Sequence, residues 1–391
     1  MSCLRSINQI DINSKNDETV LSNRPIRVLI IINAMDAGGA ETFIMKIYRT
    51  IDKEKIQFDF LINKKEKCFY EDEIAGMGGF LYRGISKSKN PIGSFYRIYY
   101  TVKHYNYSVV MCIAVHPLAA VDLFAAKIAR AKKRLVRSTN SSAGGSWLSN
   151  VLAKLFRPLV IKMATKLLAP STEAAVWLFG ERVFKSGQVE LIANGIEVNK
   201  YVFNEQQRLK IRHEFNIQDK CVLGHIGRFN KQKNHTFLLD VFSEVKKKCS
   251  EAVLVLVGKG ELERDIKKKI YDLKLQDSVI FTGVRSDVPE LLMGMDVLVF
   301  PSLYEGMPNV VIEAQATGLP CLISDAITRE ANITSIVKYI SLSATTKEWA
   351  ETLIAMISNY ARIDLSSVIK EKGFNICETM KRLVSNIEEG E

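Results

Sequence analysis

Histidine is scarce in this chain and cysteine is scattered. Five His and seven Cys occur in 391 residues, and no H-x-x-x-H, C-x-x-C or mixed His/Cys cluster brings them together. A protein-bound metal is therefore not expected. The cysteines (Cys3, Cys68, Cys112, Cys221, Cys249, Cys321 and Cys377) keep no paired spacing. That excludes a disulfide framework and reads as reduced thiols of a cytoplasmic protein. No apolar run reaches the about 20 residues that span a bilayer. The first two dozen residues are polar and hold no apolar segment, which argues against a secretory signal. A full G-x-G-x-x-G is missing as well. Gly258-Lys259-Gly260 follows a strand-like run, but position 263 is Glu263, so a nicotinamide or flavin dinucleotide enzyme is set aside.

What is present is globular and unevenly charged. The hydrophobic share is 47% and the charged share 25%, and the length exceeds one ordinary core. The net charge is +11, yet residues 1–200 carry 29 Lys/Arg against 17 Asp/Glu, while the remainder carries 25 against 26. The first half alone is basic, most densely from Lys103 to Lys166. Such asymmetry implies an anionic partner for that half: a membrane surface, a phosphorylated lipid or nucleic acid.

Short Val/Ile/Leu runs alternate with longer amphipathic stretches, the order of βαβ units around a parallel sheet buried on both faces. Strands are expected at 26–33, 56–62, 79–83, 107–114, 133–138, 166–170 and 188–192, with helices at 40–51, 92–104, 117–131, 147–165 and 171–180. After the Asn194-Gly195 turn a second series begins, with strands at 221–227, 252–258, 278–283, 296–300 and 320–324 and helices at 234–248, 261–274, 287–293 and 307–318. The fold class is thus α/β with two Rossmann-like domains. A polar leader (1–24) precedes a first domain (25–199) and a second (200–375), and the amphipathic tail 376–391 is placed to cross back to the first.

The densest chemistry lies in 301–313, from Pro301 to Glu313, which follows a buried strand and opens a helix. Glu305 and Glu313 stand eight residues apart. The backbone N–H groups around Gly306, Met307, Asn309 and Val310 lie at the positive end of the helix dipole, where a phosphate is held favourably. Glu313 suits the vicinal hydroxyls of a ribose, and Glu305 the group on the outer phosphate. A helix-stabilising acid and a solvated glutamate would explain the pair alone equally well. A second motif runs from Gly224 through Gly227 and Arg228 to Lys233 and His235, at a strand's carboxyl end where open α/β sheets bind ligands. Arg228 and Lys233 there suit a diphosphate leaving group without a metal, although charged loops at that edge are commonplace.

Weaker signals surround these two. Gly38-Gly39-Ala40-Glu41 starts the first helix, where glycine admits close approach of a ligand or simply a tight turn. His116 lies just beyond the strand at 107–114, positioned either to face a cleft or to satisfy the loop. The stretch 151–168 sets Leu152, Leu155, Phe156, Leu159, Val160 and Met163 at helical spacing with Lys154, Arg157, Lys162 and Lys166 elsewhere on the wheel. It reads as a helix packed on the sheet and interrupted at Pro158, or as a basic membrane-facing surface.

Together these segments resemble the retaining GT-B glycosyltransferases of family 4, and within them bacterial exopolysaccharide and capsule transferases of the EpsF type. The resemblance rests on GGAE (38–41), ANGIE (193–197), GRFNKQKNH (227–235), VGKGEL (257–262), TGVRSDVPELL (282–292), FPSLYEGMPNVVIEAQATGLP (300–320) and SDAIT (324–328), in that order. It implies a nucleotide diphosphate sugar as donor, no cofactor, and a lipid-linked saccharide acceptor met at the anionic inner membrane surface. It also implies roles by position. Arg228 and Lys233 would take the donor diphosphate, Glu313 the ribose, and Glu305 with the following amides the sugar. Gly38, Gly39, Gly227, Gly258 and Gly260 would lie beside the donor. His116, Glu41, Arg137 and Asn140 would belong to the sugar or acceptor side. Two positions depart from the family pattern. Arg137-Ser138-Thr139-Asn140 stands where many members have His-Ser-His-Asn, and Pro308 stands where many have glycine. Two other readings stay distinct: a sugar-nucleotide 2-epimerase of the same architecture, and a nucleic-acid-binding protein using the basic first half. For the latter, the run Phe95–Tyr107 carries no recognised RNA-binding signature, and no nucleic-acid partner is expected.

Overall fold

The computed structural model describes residues 25–87, 89–139, 147–358 and 361–389. Two parallel sheets form. The first joins β1 (Ile26–Ile32), β2 (Ile56–Ile62), β3 (Leu81–Arg83), β4 (Val109–Ala114), β5 (Lys133–Ser138), β6 (Lys166–Ala169) and β7 (Val189–Leu191) in the order β3-β2-β1-β4-β5-β6-β7. The second joins β8 (Cys221–Ile226), β9 (Ala252–Val257), β10 (Val279–Gly283), β11 (Val297–Phe300), β12 (Cys321–Ser324) and β13 (Val337–Ile340) in the order β10-β9-β8-β11-β12-β13. These are the two Rossmann-like lobes of the α/β reading. β13 was not foreseen, because Val337-Lys338-Tyr339-Ile340 is a short, half-exposed edge strand with a lysine inside it.

β4, β9 and β11 read as unbroken apolar runs because helices cover both faces of each sheet. In β1, Val28, Ile30 and Ile32 pack into one core layer and Leu29 and Ile31 into the layer on the opposite face. In β9, Val253, Val255 and Val257 likewise face away from Leu254 and Leu256. The helix Trp147–Met163 runs straight through Pro158, which corrects the expected interruption. Pro158 and the preceding-turn residue Lys154 are both exposed, so water can serve the carbonyl that proline leaves unbonded.

Two chain crossings lie side by side between the lobes. Ile196 N donates to Phe374 O at 2.8 Å, and Ile376 N donates to Ile196 O at 3.0 Å. The segments press so closely that a Cβ on Gly195 would sit 2.7 Å from the Ile376 Cα. Beyond this point the helix Ile376–Glu388 buries Ile376, Leu383 and Ile387 in the core of the first lobe.

Each strand order reverses once, between β1 and β4 in the first sheet and between β8 and β11 in the second. At such a switch point the loops leaving neighbouring strands diverge to opposite faces and open a crevice at the carboxyl edge. The loops after β1 and β4 carry Gly38, Gly39 and His116; those after β8 and β11 carry Arg228, Lys233 and Glu305.

Candidate active site between the lobes

The second lobe's crevice is built from two loops fastened together. Asn230 accepts from Lys233 N at 3.2 Å and shapes a single helical turn, Lys231–Lys233. Asn234, in the left-handed conformation, donates from Nδ2 to Pro301 O at 3.2 Å. Leu303 N donates to Gln232 O at 2.8 Å, and Gln232 Nε2 donates to Tyr304 O at 2.8 Å. This lacing brings Lys233 Nζ to 2.6 Å from Glu305 Oε1, with only 15% and 10% of the two side chains exposed. The ammonium also lies 4.3 Å from the centre of the Phe300 ring. Behind it stand His225 and His235, both buried. Burial pushes both imidazoles down, His225 well below its ordinary value and His235 to about 4, with Lys233 adding to the effect.

Arg228 is solvent-facing, 68% exposed, with Glu261 3.4 Å away. Its turn is held by three backbone bonds: Gly227 N to Val257 O at 2.9 Å, Phe229 N to Lys259 O at 3.0 Å, and Leu262 N to Phe229 O at 3.0 Å. Gly258 and Gly260, expected beside the donor, press against this turn. A Cβ on Gly258 (φ +136°) would meet Gly227 O at 2.1 Å, and one on Gly260 would meet Phe229 O at 2.3 Å. They make room for the backbone that carries Arg228.

The helix Asn309–Ala316 begins beside Glu305, with no side-chain cap and no acidic residue in its first turn. The positive end of its dipole is therefore uncompensated, which favours an anion there. Pro308 costs nothing at this point, because its missing N–H would have had no intrahelical partner.

The first lobe meets this helix directly. Asn309 Nδ2 donates to Gly39 O at 3.2 Å, and Asn194 Nδ2 donates to Asn309 Oδ1 at 2.5 Å. Lys46, on the helix Gly39–Thr50, reaches across to Glu313 at 2.6 Å. At the rim Thr328 Oγ1 donates to Glu173 Oε1 at 2.5 Å, and Thr172 N donates to Glu330 Oε2 at 3.1 Å. Glu41, in the first turn of its helix, has its carboxyl pushed up to about 7. Burial is the main cause and Asp36 adds to it, while Arg228 across the cleft works in the opposite direction. His116 Nδ1 accepts from Leu118 N at 3.2 Å, and its ring meets Trp177 edge-on at 6.5 Å.

Arg137, expected on the acceptor side, is 1% exposed and enclosed by protein. Its guanidinium lies 3.8 Å over the Phe43 ring and donates to Asn194 Oδ1 at 2.5 Å and to Ile192 O at 3.1 Å. Burial without a carboxylate pulls its ionisation down to about 9. It acts from within, holding the Asn194 that holds Asn309. Asn140 lies outside the described residues. Sequence reasoning singled out neither Lys46 nor Tyr201. The available signal for Lys46 was a lysine inside an otherwise apolar and aromatic run, Phe43 to Tyr48.

Residues 37–200 match the model described as Glycosyltransferase Family 4, and residues 220–359 the model described as Glycosyl transferases group 1. A Bacillus subtilis (strain 168) protein named glycosyltransferase EpsF is 36% identical over 334 residues, covering 84% of this chain and 86% of that protein. The capsular polysaccharide biosynthesis glycosyltransferase CapH of Staphylococcus aureus is 24% identical over 350 residues, covering 87% and 93%. Among solved structures, Anabaena Alr3699/HepE in complex with UDP and glucose superposes with a TM-score of 0.77 at 16% identity, covering 93% of this chain and 100% of that one. With its two parallel sheets meeting across a shared crevice, the chain belongs to the GT-B glycosyltransferases of family 4.

Proposed function

We propose that this enzyme moves a hexose-type sugar from a nucleotide diphosphate donor to a hydroxyl of a lipid-diphosphate-linked saccharide during surface polysaccharide synthesis, with retention at the anomeric carbon. The observation that carries the reading is the buried Lys233–Glu305 pair beside an uncapped helix start, at the second sheet's switch point. Names among the relatives agree. CapH is named for capsular polysaccharide synthesis, and an Escherichia coli relative, 31% identical over 169 residues, is named a UDP-Gal:alpha-D-GlcNAc-diphosphoundecaprenol alpha-1,3-galactosyltransferase.

The difficult event is rupture of the bond between the anomeric carbon and a phosphate oxygen. Negative charge grows on the diphosphate and positive charge on the ring. Fixed cations and oriented N–H groups at the leaving group lower that barrier most where water is excluded. Arg228, Lys233 and the amides opening the helix Asn309–Ala316 supply those charges without a metal or cofactor. Glu305, balanced by Lys233, faces the transferred sugar, and Glu313 takes the ribose. The acceptor hydroxyl attacks the face the phosphate is leaving, and its proton passes to the departing phosphate oxygen, so no separate protein base is required. Closure of the lobes shuts out water.

The first lobe delivers the acceptor from the inner leaflet. Its helices Pro91–His104 and Trp147–Met163 expose Ile92, Tyr96 and Leu155, interspersed with Arg97, Lys103, Lys154 and Lys162. Among the described residues no helix is long and apolar enough to cross a membrane, and exposed apolar side chains flanked by basic ones suit a peripheral contact. Incubation with UDP-, GDP-, TDP- and ADP-sugars, followed by thermal shift and then by product analysis with and without a lipid-linked acceptor, tests the reading. Transfer only with acceptor supports it; conversion of the donor alone would establish an epimerase instead.

A further inference from the structure

Among the described residues, Lys46–Glu313 is the ion pair that joins the two lobes. We propose that Lys46 is a positioning residue for the donor's nucleoside: reaching from the first lobe, it holds the Glu313 carboxylate aimed at the ribose diol, so that nucleoside recognition is completed only when the lobes are closed. This rests on the donor reading above, in which Glu313 takes the ribose.

Three observations carry the inference. The bond is short, 2.6 Å, and each side chain is only 9% exposed, so the attraction acts in a dry, weakly screened setting. The neighbours of Lys46 on its helix are Phe43, Ile44, Ile47 and Tyr48, all buried and apolar or aromatic. The first lobe thus provides that ammonium with a greasy channel, and its anion comes from the second lobe. Finally, the two helices are fastened at two levels. Gly39 O meets Asn309 Nδ2 at the helix starts, and two turns along the first helix Lys46 meets Glu313, one turn along the second. Parting the lobes at the paired crossings near Ile196 and Ile376 breaks both contacts.

Tyr201 stands beside the same pair, its ring centre 5.9 Å from the Lys46 ammonium. It belongs to the short helical turn Val198–Tyr201 that follows the first crossing. Its phenol stays protonated, first through burial and then through the Glu313 charge beside it. A carboxylate held by a buried lysine keeps one orientation, and that orientation is what a cis-diol reads.

The test compares two probes on the purified full chain by calorimetry: UDP, which has a ribose, and inorganic pyrophosphate, which has none. Lys46→Met is expected to weaken UDP binding on the order of tenfold, within the usual range for coupled sites, and to leave pyrophosphate affinity at the wild-type level. Glu313→Gln should produce a similar selective loss, and adding Lys46→Met to it should change UDP affinity less than twofold. The paired neutral variant also guards against misfolding, since it leaves no buried charge without a partner. Lys46→Arg should recover most of the loss. Equal losses on both probes, or additive losses in the double variant, would overturn the positioning role and leave Lys46 a structural residue. Wild-type protein that binds neither probe would refute the donor reading itself.

Discussion

Replacing Lys233 separates the stabilising part of the site from its chemistry. Lys233 and Glu305 are 2.6 Å apart and largely shielded from water. Lys233→Met removes the ion-pair partner of a buried carboxylate, and breaking one side of such a pair costs about 3–5 kcal/mol. For a lobe of this size each kcal/mol shifts the melting point by roughly 2–4 °C, so a fall of about 6–20 °C is expected. Glu305→Gln should cost less, because the amide oxygen can still accept from Lys233. In Lys233→Met/Glu305→Gln neither charge remains, and most of the melting temperature should return. Turnover should not return. Loss of a leaving-group cation removes stabilisation that exists mainly in the transition state, worth on the order of 10²–10³ in kcat. Differential scanning fluorimetry and a coupled assay of nucleoside diphosphate release measure the two quantities on the same samples. Turnover in Lys233→Met within a few-fold of wild type would refute the assigned role. So would a double variant that regains activity along with stability.

Other consequences follow from the same contacts. Gly260→Ala should cost about 1–3 kcal/mol by forcing a methyl group against Phe229 O, and it should weaken UDP binding by displacing the Arg228 turn; unchanged affinity by calorimetry would contradict that link. His225 and His235 are neutral in the fold, whereas the unfolded chain binds protons below about pH 6.5. Stability should therefore be intact above that pH and fall as pH drops, with the His235 part levelling off near pH 4; urea midpoints between pH 7 and 5 that do not move would show the pair to be otherwise solvated. Arg137→Met should lower turnover through Asn194 and Asn309 without changing which acceptor is preferred, and an altered acceptor preference in product analysis would place Arg137 at the acceptor after all. Sedimentation with anionic vesicles should show binding that weakens with salt; its absence would remove the peripheral-membrane reading.

Much of this architecture is legible in the chain because many of its strands centre on apolar runs. β1, β4, β9 and β11 announce themselves as Ile/Val/Leu-rich segments bounded by turn residues. β13 does not, because an edge strand with Lys338 at its surface carries no such run. The loops at the carboxyl ends of β8 and β11 were legible from their motifs, and the lacing between them follows from the adjacency of those strands. Partnerships across the lobes were not legible. Lys46 and Glu313 are 267 residues apart, and only the fold makes them neighbours. The partners of Arg137 were hidden for a related reason. A strand's carboxyl end faces the crevice on average, but this side chain turns inward onto Phe43 and Asn194. The packing role of Gly258 and Gly260 against the Arg228 turn was not legible either, because the backbone they make room for lies in another loop.

The central claim is that a pyrophosphate is gripped by the second lobe's switch-point loops, and a diffraction structure of the chain soaked with UDP tests it most directly. The account predicts the diphosphate within hydrogen-bond reach of Arg228, Lys233 and the amides that open the helix Asn309–Ala316, with the ribose on Glu313. A diphosphate held instead by the first lobe, or by residues outside the crevice, would contradict it.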